Sequence, residues 1–383
     1  MVSLTNAKKA PMAVPILFVP GIMGSRLCNE DGEVVWDPPE IGFSFKFFGA
    51  MAQGVFDSPD DRKQRLIGEP GDGFNKDFLH VAGTTTSASH KADKKYWKGV
   101  VTAPPGPEKI QLKPTRSSLP VALSLAEQPH RSRGWGTVHW ESYGRFLQSL
   151  EDRGAEISQS TGNCHVYLPV YACGYNWTAS SADSAQTLSD WIDVAKAEMA
   201  ELGLPVEKVL IISHSMGGFV SRYCTMGKTA RAKDVHAICH IAMPDNGSPA
   251  TYKRMKAGFE GSEKIVLGAN GREVTAVLAH APGGLELLPN THYRQADGSQ
   301  GCWLTLEDRD EALPLFQGSP YDSVYKEADK WWRLITPAWV EPSDEIDDLG
   351  KNNYLKENIF KMRYYKPKSS TPNLVSKNTP TPG

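Results

Sequence analysis

The sequence predicts an α/β fold, with a mostly parallel sheet, helices on both faces and large insertions that form a cap. Three observations predict it. Strand-like and helix-like patterns alternate from residue 141 to residue 245, which is the signature of βαβ units. A short apolar run at 14–19 (VPILFV) ends abruptly in Pro20-Gly21. A β-branched run, Val209–Ile212, stops at Ser213-His214-Ser215-Met216-Gly217-Gly218, and a helical pattern, Phe219–Met226, follows at once.

Taken in order, 14–19 reads as a short buried strand leading into Pro20-Gly21-Ile22-Met23-Gly24-Ser25. Residues 38–135 hold no sustained period of 2 or 3.6, so they read as an insertion, and the lysines of 91–98 as a solvated face. Tyr143, Phe146, Leu147 and Leu150 recur at helical spacing within Glu141–Arg153. His165–Tyr171 alternates like a strand. Ser181–Leu202 places Leu188, Trp191, Ile192, Ala195, Met199 and Leu202 on one helical face. His236–Met243 (HAICHIAM) reads as the next buried strand, closed by a turn at Pro244–Pro249. Beyond 250 the pattern loosens, and the aromatic-rich stretch 251–340 reads as a cap. The acidic run Asp344–Asp348 reads as a solvated face, and 366–383 as a disordered tail or linker. The predicted organisation is one α/β unit over 1–365, with insertions at about 38–135 and 251–340.

Composition excludes several classes. With 40% hydrophobic and 22% charged residues and a net charge of −2, the chain lacks the basic stripe of a nucleic-acid binder. Cys28, Cys164, Cys173, Cys224, Cys239 and Cys302 show no metal-ligand spacing, and Cys224 and Cys239 read as small core residues. The apolar stretch Ala13–Val19 is too short for a secretory signal. No run approaches the roughly 20 apolar residues of a membrane-spanning helix.

The chemistry centres on Ser215. A strand, a sharp turn with a central serine and then a helix form a nucleophile elbow, which lifts the hydroxyl out of the sheet. The helix start lends positive dipole and a free N–H to a developing oxyanion. Ser213 stands where the usual pattern has glycine. A second oxyanion donor is expected from the loop after the first strand. There Gly21 lets the backbone approach the substrate, and the N–H of Ile22 would pair with that of Met216.

PGIMGSRL, Val35-Trp36-Asp37, Gly174-Tyr175-Asn176-Trp177, HSMGG and Pro244…Gly247-Ser248-Pro249 occur in that order. This set resembles the lecithin:cholesterol acyltransferase-like and GPI-inositol-deacylase-like branch of α/β-hydrolases. The resemblance covers roughly 14–37 and 138–250. It implies action on lipid acyl esters, with Ser215 as nucleophile, Ile22 and Met216 at the oxyanion positions, and Trp177 lining the acyl pocket. Asn176 stands where many relatives carry aspartate.

Serine needs a base, almost always histidine. After Ser215 come His236, His240, His280 and His292, and none follows His292. His236 and His240 fall on a strand and read as structural, His214 is expected to point away from the reaction, and His292 is the internal candidate. The preferred expectation is instead that the chain is the N-terminal part of a longer polypeptide, with the last strands and the base beyond Gly383 or on a separate chain, where the acid could also lie. Asp245 directly follows a strand and is the candidate triad acid; an acid after a later strand is the alternative.

The resulting expectation is a serine esterase of lipids, a phospholipase or lipase, that needs no metal or cofactor and meets a membrane surface transiently. An acyltransferase, or a pseudo-hydrolase that only binds, are the competing readings. A lipase-like chain without a secretory signal also resembles bacterial lipase effectors of type VI secretion. That resemblance implies synthesis in the cytoplasm, contact-dependent export and an immunity protein as partner.

Overall fold

The computed structural model describes residues 12–37, 58–68, 78–82, 129–160, 166–260, 264–294, 303–308, 311–314 and 319–340. At its centre lies a four-stranded parallel sheet in the order β7 (Val170–Ala172), β2 (Ile16–Val19), β8 (Val209–His214), β9 (Val235–Ile241). Just before β2 and β7, β1 (Met12–Ala13) pairs in parallel with β6 (Val166–Tyr167). A small antiparallel sheet joins β3 (Leu27–Cys28), β4 (Val34–Trp36) and β5 (His80–Val81).

Every residue of β2 is buried, as a central parallel strand must be when helices cover both faces. Its side chains alternate between two cores. Ile16 and Phe18 join Val170, Ala172, Trp135 and Leu147, the last from helix α2 (Trp140–Ser160). Leu17 and Val19 join the larger core with Ile211, Leu188, Ile192 and Val220. That face is covered by α3 (Ser181–Glu201) and α4 (Gly217–Met226). The N-cap Ser180 accepts the Asp183 N–H at 3.1 Å, which starts α3 where the apolar stripe begins.

The described parts of the insertions include regular elements. Helix α1 (Pro59–Leu66) begins with a capping box between Ser58 and Asp61, a signal visible in Ser-Pro-Asp-Asp but missed among irregular neighbours. Beyond 250 come α5 (Pro249–Ala257), α6 (Gly271–Leu278) and α7 (Pro282–Leu285). Thr275 of α6 donates to the Met255 carbonyl of α5 at 3.0 Å. Arg62 of α1 pairs with Glu273 of α6 at 3.7 Å. The two insertions therefore meet. The lysines of 91–98, the run 344–348 and the tail 366–383 lie outside the described residues.

Three expectations are corrected. His165–Tyr171 is not one strand: Leu168-Pro169 separates β6 from β7, because proline cannot donate to the ladder. The helix expected over 141–153 extends to Ser160. The strand expected at 236–243 is β9, and it is not buried. It ends the described sheet, and most of its residues are exposed, including Cys239, expected in the core. Cys224 is buried as expected. Among the described residues no helix is long and apolar enough to cross a membrane.

Candidate active site

Strand β8 runs straight into Ser215, whose φ is +50°. That left-handed conformation is costly for a residue with a side chain and occurs at strained functional turns. Two backbone bonds fix it. Ser215 N–H donates to Ile241 O of β9 at 2.8 Å, and Gly218 N–H donates to Ser215 O at 3.0 Å. Helix α4 starts immediately afterwards, at Gly217. Its glycine is obligatory by packing, since a Cβ there would lie 2.5 Å from the carbonyl oxygens of both Val19 and Pro20. Backbone cannot yield as a flexible side chain does. Gly217→Ala is expected to cost about 2 kcal/mol or more of stability, and to push the 20–24 loop away from the elbow. Activity should fall about 10²-fold, the scale of one lost oxyanion donor; denaturant melts and ester turnover check both.

The loop after β2 is held at several points. Tyr175 donates its hydroxyl to Pro20 O at 2.9 Å, and Trp36 Nε1–H donates to Met23 O at 2.9 Å. Gly24 N–H closes a turn on Gly21 O at 3.1 Å, and His139 N–H donates to Gly24 O at 2.9 Å. Met23 takes φ +62° within this turn. Among the described residues no acceptor is recorded for the N–H of Ile22 or of Met216. The loop and the elbow are in contact, because a Cβ on Gly21 would lie 3.1 Å from Ser215 Cβ and 3.0 Å from His214 Nδ1. A side chain at 21 would press on both residues, so glycine favours this close approach.

Other motif residues converge on the same loop. Ser25 Oγ accepts Tyr175 N–H at 3.0 Å. The buried Arg26 pairs with Asp37 at 3.0 Å and donates to Gly136 O at 2.8 Å. The short motifs scattered through the sequence thus brace one another around Gly21–Gly24. Sequence reasoning quoted these residues without assigning them this bracing role.

Ser213 is fully buried, and its hydroxyl lies 2.7 Å from His240 Nδ1. This bond explains how serine replaces the usual glycine, and it gives His240 a structural partner. Burial, followed by the nearby Arg222, holds the His240 imidazole below its ordinary pKa, with Asp245 opposing. Ser213→Gly should keep the elbow and lose one hydrogen bond, about 1 kcal/mol. Turnover should stay within about threefold, with the small loss read from thermal melts.

Trp177 is fully buried and packs against Trp36 with ring centroids 5.2 Å apart. Its carbonyl and the Met216 methyl both press on Gly283, where a Cβ would lie 2.5 Å from each. Asn176 has a local task, since its Oδ1 accepts the Thr178 N–H at 3.0 Å and its Nδ2 donates to Leu79 O at 3.3 Å. Asp245 lies in the turn after β9, half exposed, and forms an ion pair with Arg222 of α4.

The structure places the histidines apart. His280 is buried with Nε2 3.1 Å from Val340 O. His236 is exposed on β9. The His214 ring lies against the loop after β2, its Nδ1 3.0 Å from where a Cβ on Gly21 would sit and 2.9 Å from the Tyr143 hydroxyl. His292 is exposed, on a turn tied to the Asp245 turn by Asn290 N–H donating to Asn246 O at 2.9 Å. Among the described residues no imidazole is hydrogen-bonded to Ser215.

Comparison with known proteins fits this geometry. A family model described as "PGAP1-like alpha/beta domain" matches residues 177–262, the stretch that carries α3, the elbow, β9 and Asp245. No curated protein sequence matches the chain. A chain in the crystal structure of the Tle4-Tli4 complex shares the architecture with a TM-score of 0.69 and 24% sequence identity, over 93% of this chain and 72% of that one. The chain has the α/β-hydrolase fold and, over the segment bearing Ser215, is similar to the PGAP1-like alpha/beta domain.

Proposed function

We propose that this chain is a serine esterase that hydrolyses lipid acyl esters, as a phospholipase or lipase. The observation that carries the reading is the strained Ser215 (φ +50°) together with two backbone amides, Ile22 and Met216, that find no acceptor among the described residues. Ser215 Oγ attacks the acyl carbonyl while a histidine takes its proton. The two amides hold the tetrahedral oxyanion, and its collapse expels the alcohol with that proton. Water then releases the fatty acid from the acyl-enzyme. Asp245 is the proposed acid and His292 the described candidate base, because their turns are stitched together. The insertions 38–135 and 251–340 act as a cap that presents apolar surface to lipid.

An inhibitory immunity protein is the proposed partner, with contact-dependent export as the route. Support comes from the type VI lipase-effector resemblance and from the similar chain having been crystallised in a two-component complex.

The deciding experiment is labelling with a fluorophosphonate probe, with Ser215→Ala as control. Labelling that disappears in the variant supports an activated serine with its base inside this chain. Absence of labelling favours the competing reading, a pseudo-hydrolase that binds lipid without turnover, which the lack of a described imidazole on Ser215 keeps open.

A further inference from the structure

We propose that Tyr143 is a positioning residue that latches the oxyanion loop to the nucleophile elbow. The proposal rests on the esterase reading for its catalytic consequence, while the latch itself stands on geometry.

Tyr143 lies in the first turn of α2, a helix that otherwise packs on the sheet face opposite α3 and α4. Its ring is held by Phe18 of β2 at a centroid distance of 4.9 Å, and it meets the His214 ring edge-on at 5.8 Å. The hydroxyl then makes two contacts that no other described group replaces. It accepts the Gly21 N–H at 3.1 Å and lies 2.9 Å from His214 Nδ1. One oxygen therefore touches the residue before Ile22 and the residue before Ser215.

Proton positions follow from chemistry. Burial lowers the His214 pKa and raises that of Tyr143, so both are neutral near pH 7. The phenol oxygen accepts from Gly21, and its O–H, which has no other acceptor among the described residues, is assigned as the donor to His214 Nδ1. This leaves the proton of His214 on Nε2. Loop, phenol and elbow form a directional chain: Gly21 N–H to Tyr143 oxygen, Tyr143 O–H to His214.

The loop is shaped to admit this phenol. A Cβ on Gly24 would sit 2.7 Å from Tyr143 Cε2 and 3.0 Å from its hydroxyl oxygen. A Cβ on Gly21 would sit 3.4 Å from that oxygen. Both glycines of PGIMG thus face Tyr143. Fixing the Gly21 N–H restrains the peptide that carries the Ile22 N–H, while the bond to His214 restrains the strand end that carries Ser215. Among the braces on this loop, Tyr143 is the side chain that bonds both the loop and the residue before Ser215. A misplacement of about 1 Å in such a pair can cost about 10²-fold in rate.

The test uses the whole chain and two readouts: turnover of a short-chain p-nitrophenyl ester, and hydrogen–deuterium exchange of the 20–24 segment. Tyr143→Phe keeps the ring and deletes the latch. It should lower kcat by 10-fold or more with KM within about twofold, and should speed exchange of the loop amides. His214→Leu should do the same. His214→Asn, whose amide oxygen can stand where Nδ1 stands, should retain most of kcat. The double variant Tyr143→Phe/His214→Leu should lose no more than either single, because both remove one coupled unit. Unchanged loop exchange in a folded Tyr143→Phe variant overturns the latch. Faster exchange with an intact kcat overturns the positioning role. Should Ser215→Ala retain full turnover, the esterase reading fails instead, and the exchange data still decide whether the latch exists.

Discussion

Ser215→Ala should lower kcat by a factor on the order of 10⁶, the scale seen when a serine hydrolase loses its nucleophile. Loss of this size is expected because no neighbour can take over: the adjacent hydroxyl, on Ser213, is buried and bonded to His240. The strain at φ +50° adds a second, opposite expectation. Ser215→Gly should be equally inactive yet more stable than Ser215→Ala, by about 1 kcal/mol, because glycine adopts left-handed φ without steric cost. Turnover of a phospholipid substrate and denaturant midpoints measure the two effects together. Residual turnover within tenfold of the parent in Ser215→Ala would place the chemistry elsewhere. A Ser215→Gly variant less stable than Ser215→Ala would deny that the elbow is strained.

Asp245→Asn carries the next largest expectation, a fall in kcat on the order of 10⁴, as for a triad carboxylate that fixes the imidazole tautomer. The carboxylate pairs with Arg222 at one oxygen, leaving the other free to accept an imidazole N–H. The side chain is 49% exposed, so the ion pair itself contributes only about 0.5 kcal/mol. A large rate loss with an unchanged melting curve would therefore be chemical, not structural. Arg222→Gln supplies the contrast, since it removes the ion pair and keeps the carboxylate. It should leave kcat within about threefold. Equal, small losses in both variants would reduce Asp245 to a surface ion pair and move the triad acid to another position.

How much of this was legible in the sequence depends on how local the cause is. The elbow was legible because its cause is contiguous: a β-branched run, small residues and a helical pattern within 209–226. The turns that carry Ile22 and Met216 could be placed for the same reason, each following directly on an apolar run. The break between β6 and β7 was legible in principle, at Pro169, and the start of α1 in Ser58 and Asp61. Other features were not local. HAICHIAM has the composition of a buried strand, but whether a strand is central or terminal depends on what pairs with its far side, and composition carries no record of that. Tyr143 reads as one more apolar-face residue of a helix; its hydroxyl partners are 122 and 71 residues away. Asp245 could be placed after its strand, while its partner Arg222 could not be foreseen from spacing. The loop-bracing roles of Trp36, Tyr175 and Arg26 belong to the same class.

Strand β9 has a double office. Among the described residues it pairs on one side alone, with β8, and its last carbonyl, on Ile241, receives the Ser215 N–H. Strand β9 and Ser215 are thus mechanically in series. An extended polypeptide that zips onto such a strand gains backbone hydrogen bonds, and in doing so tightens the post from which the serine is hung. Whatever pairs with β9 is joined to Ser215 through one hydrogen bond, so grip on the strand is felt at the turn.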